Sequence, residues 1–155
     1  MSFSGDDELV FMMGEDRVRI PRDRMYSRNH CWVQEGPGGF RVGLTEFAVH
    51  LLQEIYFLDW KIEPQTLVKM AQEIGEIESS KTVSSLTPAG NGRLLDFNSL
   101  LLDDPSVINT DGYGLGWLYH IETDARFMFP EEYVKFLGAE WDEIQRKANG
   151  PANEN

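Results

Sequence analysis

The sequence has 155 residues, of which 41% are hydrophobic, and this size and composition fit one compact globular domain. Its 26 acidic and 14 basic residues give a formal net charge of -12, which argues against a nucleic-acid backbone or an anionic membrane surface as the main partner. Protein partners with basic surface patches fit this charge better.

Cysteine content and hydropathy bear on the compartment. Cys31 is the single cysteine, so an internal disulfide framework is excluded and a reducing environment is suitable. No apolar run approaches the length of a membrane span, and the acidic residues near the N-terminus are unlike a secretory signal or an arginine-rich transit peptide. These features predict a cytoplasmic protein without membrane association.

The first residues of the sequence carry a hairpin pattern. An apolar run at residues 9–13 is followed by the turn-forming Gly14 and then by alternating basic and apolar residues at 17–20. We interpret residues 1–24 as an N-terminal extension that can form this hairpin and dock on the domain or on a partner.

Residues 32–58 predict strands on either side of a short helix. A glycine-rich turn at residues 36–39 separates strand segments at 32–33 and 40–44, and Thr45 is a suitable helix N-cap. The apolar residues that follow share one helical face, before a further strand begins.

A second hairpin is centred on Lys81. Residues 74–78 and 82–86 are strand-like and flank this lysine, which stands between small hydroxyl residues. An amine on such a turn, with no bulky neighbour, is accessible to an enzyme that acylates it. On local sequence alone, the alternative is a surface lysine that only keeps the protein soluble.

The C-terminal half adds further strands and a short helix. Turn residues at 90–92 precede a strand at 93–97, and Asn98 can cap a short helical segment. Residues 109–112 predict a turn, and another strand follows at 117–121.

From Pro130 onwards the apolar spacing becomes that of an amphipathic helix. Helical spacing relates Tyr133, Leu137, Trp141 and Ile144, and Pro130 suits a first helical turn. Residues 148–155 predict a flexible tail. Together these elements predict a mainly β domain with helical additions and a C-terminal amphipathic helix.

The sequence contains no pattern typical of a catalytic or metal site. We find no nucleophile elbow, no phosphate-binding glycine loop and no paired metal-ligand spacing. His30, His50 and His120 with Cys31 are the nitrogen and sulfur ligand candidates, and their positions do not repeat a zinc spacing. We therefore predict no catalytic residues and no metal.

Several separated motifs follow the order of a known family. Residues 26–32 run from a tyrosine to His-Cys-Trp, residues 42–48 read Val-Gly-Leu-Thr-Glu-Phe-Ala, and residues 78–82 read Glu-Ser-Ser-Lys-Thr. A later set with distinctive spacing comprises Asn98, Pro105, Ile108, Asn109, Asp111, Tyr113, Gly116, Trp117 and Ile121. In this order the motifs resemble those of the H protein of the glycine cleavage system, over about residues 25–137.

The resemblance implies a lipoyl carrier, built as a lipoyl-type barrel-sandwich hybrid at residues 25–147. Lys81 matches the lysine on a hairpin turn to which lipoic acid is covalently bound, by a lipoate ligase or a lipoyl transferase. Glu78 matches the motif carboxylate that helps to present the hairpin to the ligase, although an ordinary solvated carboxylate is an equal alternative. His30 and Cys31 match the stretch beside the docked arm.

Departures from the family pattern bear on the pathway. Cys31 stands where the family has a glutamate beside the loaded arm, and a thiol holds an amine only weakly where a carboxylate holds it by charge. Phe47 and Gln53 also replace the family's histidine and glycine. Drift within one function, with Cys31 a buried small hydrophobic residue, is a competing explanation of these departures.

The departures slightly favour one of two pathways. The favoured relative is the lipoate-binding protein of sulfur-oxidising heterodisulfide-reductase-like systems, with that complex as partner. The alternative is the glycine cleavage carrier itself, which shuttles an aminomethyl group from glycine decarboxylase to aminomethyltransferase and passes reducing equivalents to dihydrolipoyl dehydrogenase.

More remote alternatives use other features of the chain. Lys69 with its flanking Val68 and Met70 is faintly similar to a biotin attachment motif, although only one methionine flanks it. A non-lipoylated interaction module, which binds a partner through the barrel and the N-terminal hairpin, is the alternative from a different functional class.

Overall fold

The computed structural model describes residues 7–153 of the chain. Its first strands, β1 (Glu8–Met13) and β2 (Asp16–Pro21), form an antiparallel hairpin where the apolar alternation predicts one. Gly14 has a φ of 64° in the turn between them, a backbone conformation that glycine adopts without steric cost.

Two further sheets form the body of the domain. The larger sheet consists of β3 (Met25–Tyr26), β4 (Cys31–Gly36), β5 (Gly39–Leu44), β7 (Thr66–Val68), β10 (Gly92–Phe97) and β11 (Tyr119–Thr123). Its strands pair antiparallel in the order β3-β4-β5-β11-β10-β7. The smaller sheet has the order β6-β8-β9 and consists of β6 (Ile55–Trp60), β8 (Gly75–Ser79) and β9 (Val83–Leu86).

The two sheets share one apolar core. Val42, Leu94 and Ile121 of the larger sheet and Ile55 and Ile77 of the smaller sheet each have 0% exposure and belong to one buried cluster. Burying an aliphatic side chain of this size contributes about 1.5–3 kcal/mol. The packed sheets confirm the predicted mainly β, barrel-sandwich class.

The helices are α1 (Glu46–Leu52), α2 (Leu100–Asp103), α3 (Val107–Asp111) and α4 (Pro130–Asn153). Thr45 Oγ1 accepts a hydrogen bond from the N–H of Ala48 at 3.3 Å, so Thr45 caps α1 as predicted. Asn98 Oδ1 accepts one from the N–H of Leu100 at 3.1 Å at the start of α2. Within residues 7–153, no helix combines the length and the apolar character that crossing a membrane requires.

A second core lies between the N-terminal hairpin and the helices. Val18 and Ile20 of β2 are fully buried in one cluster with Phe47 of α1 and with Tyr133 and Leu137 of α4. The hairpin therefore packs as part of the folded structure. The division of the chain at residue 24 stays a prediction.

The predicted turn at residues 109–112 is wrong, because Asn109 and Asp111 belong to α3. The Asn109 amide donates to the carbonyl of Ile55 at 2.7 Å, and its oxygen accepts from the N–H of Ile55 at 2.9 Å. Since this side chain bonds a distant strand, it does not form the local turn that its residue type favours.

The last strand and the last helix differ from prediction at their ends. β11 begins at Tyr119 and not at residue 117, because the carbonyl of Trp117 accepts a hydrogen bond from the Asn98 amide at 2.7 Å. Helix α4 continues to Asn153, past the tail predicted from residue 148, since extending an existing helix requires little additional ordering. Residues 154–155 lie outside the described residues.

Candidate functional site

Lys81 lies in the turn between β8 and β9 and is exposed. The Ser79 hydroxyl accepts hydrogen bonds from the N–H groups of Lys81 and Thr82, at 3.3 and 3.2 Å, and donates to the carbonyl of Thr82 at 3.1 Å. The N–H of Ser80 donates to the carbonyl of Glu54 at 2.8 Å. The turn is therefore fixed both within itself and to the loop before β6.

Glu78 lies on β8, and its side chain is half-buried on the outer face of the smaller sheet. Among residues 7–153 it makes no hydrogen bond to the turn, so the side chain that holds the turn is Ser79 and not Glu78. Sequence reasoning missed this role of Ser79. A serine two residues before a turn apex was the available signal. Recognition of Glu78 by a ligase stays a prediction.

A cavity of about 180 Å³ opens beside the hairpin. Strand β9, which follows Lys81, forms one wall of this cavity, and α1 forms another. Its lining surface is mostly apolar and comes from Asn29, His30, Cys31, Leu44, Ala48, Leu51, Leu52, Ser84, Ser85, Leu86 and Thr87. The fold thus brings His30 and Cys31 to the cavity next to the strand that carries the lysine turn.

His30 is held between helix α4 and the cavity, with a φ of 65°. Its Nδ1 lies 3.0 Å from the Tyr133 hydroxyl and its Nε2 lies 3.2 Å from Glu140 Oε1. Because a carboxylate only accepts, Nε2–H donates to Glu140 and Nδ1 accepts from Tyr133. Burial lowers the pKa of His30, and the Glu140 hydrogen bond opposes this shift.

Tyr133 continues the hydrogen-bond chain into the domain. Its hydroxyl lies 2.9 Å from Thr45 Oγ1, the oxygen that caps α1. Burial holds the pKa of Tyr133 far above its ordinary value. A chain of neutral donors therefore joins His30 to the start of α1 and fixes the inner wall of the cavity.

Cys31 is buried in the cavity wall with 3% exposure. Burial raises the pKa of its thiol to about 12, although the Ser27 hydroxyl acts in the opposite direction. The thiol is consequently neutral at physiological pH and contributes no charge to the cavity.

Asn29 ties the rim of the cavity together. Its amide donates to the carbonyl and hydroxyl oxygens of Thr87 and to the carbonyl of Pro88, each at 3.1 Å. These bonds attach the loop before β4 to the segment that follows β9. Sequence reasoning missed Asn29 because its partners are 58 and 59 positions away.

The remaining ligand candidates are scattered. His120 Nδ1 lies 2.6 Å from Asp96 Oδ1, and His120 Nε2 accepts from Arg41 Nε at 3.2 Å, so both ring nitrogens have protein partners. His50 is exposed on α1. Within residues 7–153 no group of His, Cys, Asp and Glu side chains is placed to hold a metal ion.

Lys69, the residue of the biotin-carrier alternative, does not lie on a comparable hairpin. It follows β7, and β7 pairs with β10 and not with the next strand along the chain. Lys81, in contrast, joins two consecutive paired strands.

Comparison with known proteins gives consistent similarities. The family described as Glycine cleavage H-protein matches residues 24–140. A glycine cleavage system H protein of Bifidobacterium longum is 37% identical over 140 residues, covering 88% of this chain and 99% of that protein. One from Thermobifida fusca is 35% identical over 126 residues, covering 79% of this chain and 99% of that protein.

A solved structure supports the same similarity. The crystal structure of a glycine cleavage system H protein from Mycobacterium marinum superimposes with a TM-score of 0.67 and 35% sequence identity, over 77% of this chain and 99% of that one. The similarity therefore extends from sequence motifs to the arrangement of the sheets.

Proposed function

The chain belongs to the glycine cleavage H-protein family, and from this membership we propose that Lys81 carries a covalently bound lipoyl group. In this proposal the protein is a carrier and not a catalyst. The observation that supports it best is an exposed lysine on a turn fixed by Ser79, next to an apolar cavity. The ε-amine would form an amide with the carboxyl carbon of an activated lipoate, releasing a proton and the activating group.

The cavity fits a lipoyl arm. Its aliphatic lining from Leu44, Leu52 and Leu86 suits a hydrocarbon chain and a dithiolane ring, and Ser84 and Ser85 add hydroxyl groups on β9. When bound, the lipoyl group supplies a disulfide that accepts electrons and a substrate fragment. In this proposal the protein holds this group and delivers it, while the chemistry belongs to the group and to the partner enzymes.

Two pathways remain candidates for the cargo. The relatives named above are glycine cleavage H proteins. They therefore favour the glycine cleavage carrier, which was the alternative in the sequence analysis. None of them supports the sulfur-oxidation pathway that the sequence slightly favours. We therefore propose that the carrier moves an aminomethyl group between glycine decarboxylase and aminomethyltransferase, with dihydrolipoyl dehydrogenase reoxidising the arm. We also infer a cytoplasmic location, which the single cysteine supports.

The presence of a cysteine at position 31 is the reason to retain the sulfur-pathway carrier as the second candidate function. The neutral thiol places no carboxylate at this point of the cavity wall, so a cationic or amine-bearing cargo gains no ion pair there. A sulfur-bearing cargo needs none.

Intact mass tests the carrier assignment. After co-expression with an active lipoate ligase, we expect the mass of one lipoyl group to be added to the wild-type protein and to Lys69→Arg, and to be absent from Lys81→Arg. An unmodified wild-type protein would refute the carrier function. The Lys69→Arg control separates the lipoyl site from the biotin-like motif.

Labelled glycine tests the pathway. We expect the lipoylated protein to accept the aminomethyl group when it is incubated with glycine decarboxylase and labelled glycine, and then to pass it to aminomethyltransferase. No transfer by a fully lipoylated protein would exclude the glycine cleavage cargo and favour the sulfur pathway.

A further inference from the structure

The outer face of the smaller sheet carries an apolar patch next to the lysine turn. Phe57, Glu78 and Val83 stand directly opposite one another across β6, β8 and β9. Phe57 is 44% exposed, Val83 is 56% exposed, and Tyr56 beside them is 57% exposed. We call Tyr56, Phe57 and Val83 the hairpin patch.

A β-bulge creates the aromatic part of the hairpin patch. Ile55 pairs with Ser79 and Phe57 pairs with Glu78, so Tyr56 is an additional residue on β6. The bulge breaks the usual alternation: Tyr56 and Phe57 are both exposed, between the buried Ile55 and Leu58. Aromatic side chains are enriched at protein interfaces, and contiguous exposed apolar groups are typical of interaction sites.

Acidic groups lie within and beside the hairpin patch. Glu78 stands between Phe57 and Val83, and the next row across the sheet contains Asp59 and Glu76. Asp59 binds Lys61 at 3.2 Å, whereas Glu76 and Glu78 form no salt bridge with another described residue. The complementary surface is therefore an apolar recess bordered by Lys or Arg side chains.

We propose that the hairpin patch is the docking surface for the enzyme that attaches the lipoyl group to Lys81, a proposal that rests on the carrier function proposed above. The length of a lysine side chain, about 6 Å from Cα to the amine, is the reason for choosing this enzyme as the partner that binds the patch. An enzyme that acylates the amine must bring its active centre within that distance of the turn, so its surface covers Val83, two residues away. An enzyme that acts on the far end of a lipoyl arm stays further from the sheet.

Exposed aromatic anchors dominate the binding energy of such contacts. Truncating an anchor that fills a partner's pocket commonly reduces affinity tenfold or more, whereas peripheral contacts contribute little. Phe57 is the anchor to test, since it is an exposed aromatic residue in the same cross-strand row as Val83.

Acylation kinetics of matched variants test the docking proposal. The variants are Phe57→Thr and Val83→Thr, because threonine keeps the β propensity of the strands. The control is Leu67→Thr, which changes an equally apolar side chain, 68% exposed, on β7 of the other sheet. The probe is a purified lipoate ligase with lipoate and ATP, and the readout is the rate of mass gain as a function of acceptor concentration.

We expect kcat/KM to fall about tenfold for Phe57→Thr and severalfold for Val83→Thr, mainly through KM, while Leu67→Thr stays at the wild-type value. Thermal unfolding and circular dichroism verify that each variant is folded. For the wild type, kcat/KM should also fall as NaCl increases, because the acidic border attracts basic residues.

The other possible outcomes contradict either the docking proposal or the carrier function. If the wild type is acylated and Phe57→Thr is acylated equally fast, or Leu67→Thr slows equally, the docking proposal is wrong while the carrier function stands. If Phe57→Thr is acylated normally but its lipoylated form is poorly used by glycine decarboxylase, the patch binds a different partner. If the wild type gains no lipoyl group, the carrier function itself fails.

Discussion

Ser79 is the residue that holds the lysine turn in place. Its hydroxyl bonds the backbone of Lys81 and Thr82, and it is buried with 5% exposure. Ser79→Ala removes the bonds to the part-buried N–H groups of Lys81 and Thr82, which costs about 0.5–1.5 kcal/mol of stability. We expect faster amide hydrogen exchange at the turn and slower lipoylation of Lys81.

Ser80→Ala is the matched control for this prediction. Ser80 is exposed, and the bond that fixes it uses its backbone N–H, which alanine retains. Hydrogen exchange at Lys81 that is equally fast in Ser79→Ala and in the wild type would show that the hydroxyl does not hold the turn.

His30 makes stability depend on pH. Because burial lowers its pKa below the usual 6.5, the unfolded chain binds a proton at a higher pH than the folded protein does. The contribution of neutral His30 is therefore complete above pH 6.5 and is lost as the pH falls from 6.5 through the lowered pKa. We expect His30→Gln to flatten the loss of stability between about pH 7 and about pH 5, measured by urea unfolding.

His50→Gln controls for the loss of any histidine. His50 is exposed on α1, away from the contacts of His30 with Tyr133 and Glu140. A His50→Gln profile that flattens as much as the His30→Gln profile would contradict the assignment of the pH dependence to His30.

The N-terminal hairpin of β1 and β2 is a packed part of the fold. Ile20 of β2 has 0% exposure in the cluster with Phe47, Tyr133 and Leu137. Truncating such a residue leaves a cavity, so we expect Ile20→Ala to lower the free energy of unfolding by about 2–5 kcal/mol. Chemical denaturation with one cooperative transition measures this change.

Arg17→Ala is the control within the same strand. Arg17 points to solvent, and a surface substitution of this kind changes stability by about 0.5 kcal/mol or less. A small effect of Ile20→Ala, comparable to that of Arg17→Ala, would show that the hairpin is an independent extension.

The sequence predicts elements with a clear local pattern and misses those that distant contacts determine. The alternation in β2 and the cap at Thr45 are local, and both are found. β3 and β7 have two and three residues, too few to show a period. α3 forms where turn residues stand, because Asn109 bonds Ile55 across 54 positions.

The same distinction applies to the site. Lys81 and its turn follow from a contiguous motif, and the structure places them on the predicted hairpin. The cavity depends on β4, α1 and β9, which are distant in sequence, and its fixing contacts from Asn29 and Tyr133 require the folded chain.

The excess of negative charge over the full chain destabilises the compact folded state. A net charge of -12 produces self-repulsion that added salt screens. We expect the thermal midpoint to rise by about 2–5 °C when NaCl increases from about 20 mM to about 300 mM. Differential scanning calorimetry at pH 7 measures this shift.

Chloride is the appropriate anion for this experiment, because sulfate also strengthens apolar burial. A midpoint that falls with NaCl would mean that the surface ion pairs, such as Arg19–Glu46 at 2.7 Å, outweigh the repulsion.

The fixed position of the turn limits where a group attached to Lys81 can meet a partner enzyme. Since Ser79 and the Ser80–Glu54 bond hold the turn in place, the proposed lipoyl arm would move about a fixed point, and its free end would stay in the volume within one arm length of the hairpin. Within that volume its effective concentration is in the millimolar range or above. If Lys81 carries a lipoyl arm, as proposed above, a partner's active site competes for that arm with the cavity beside β9, and the affinity of the cavity for the arm sets how readily the cargo is handed over.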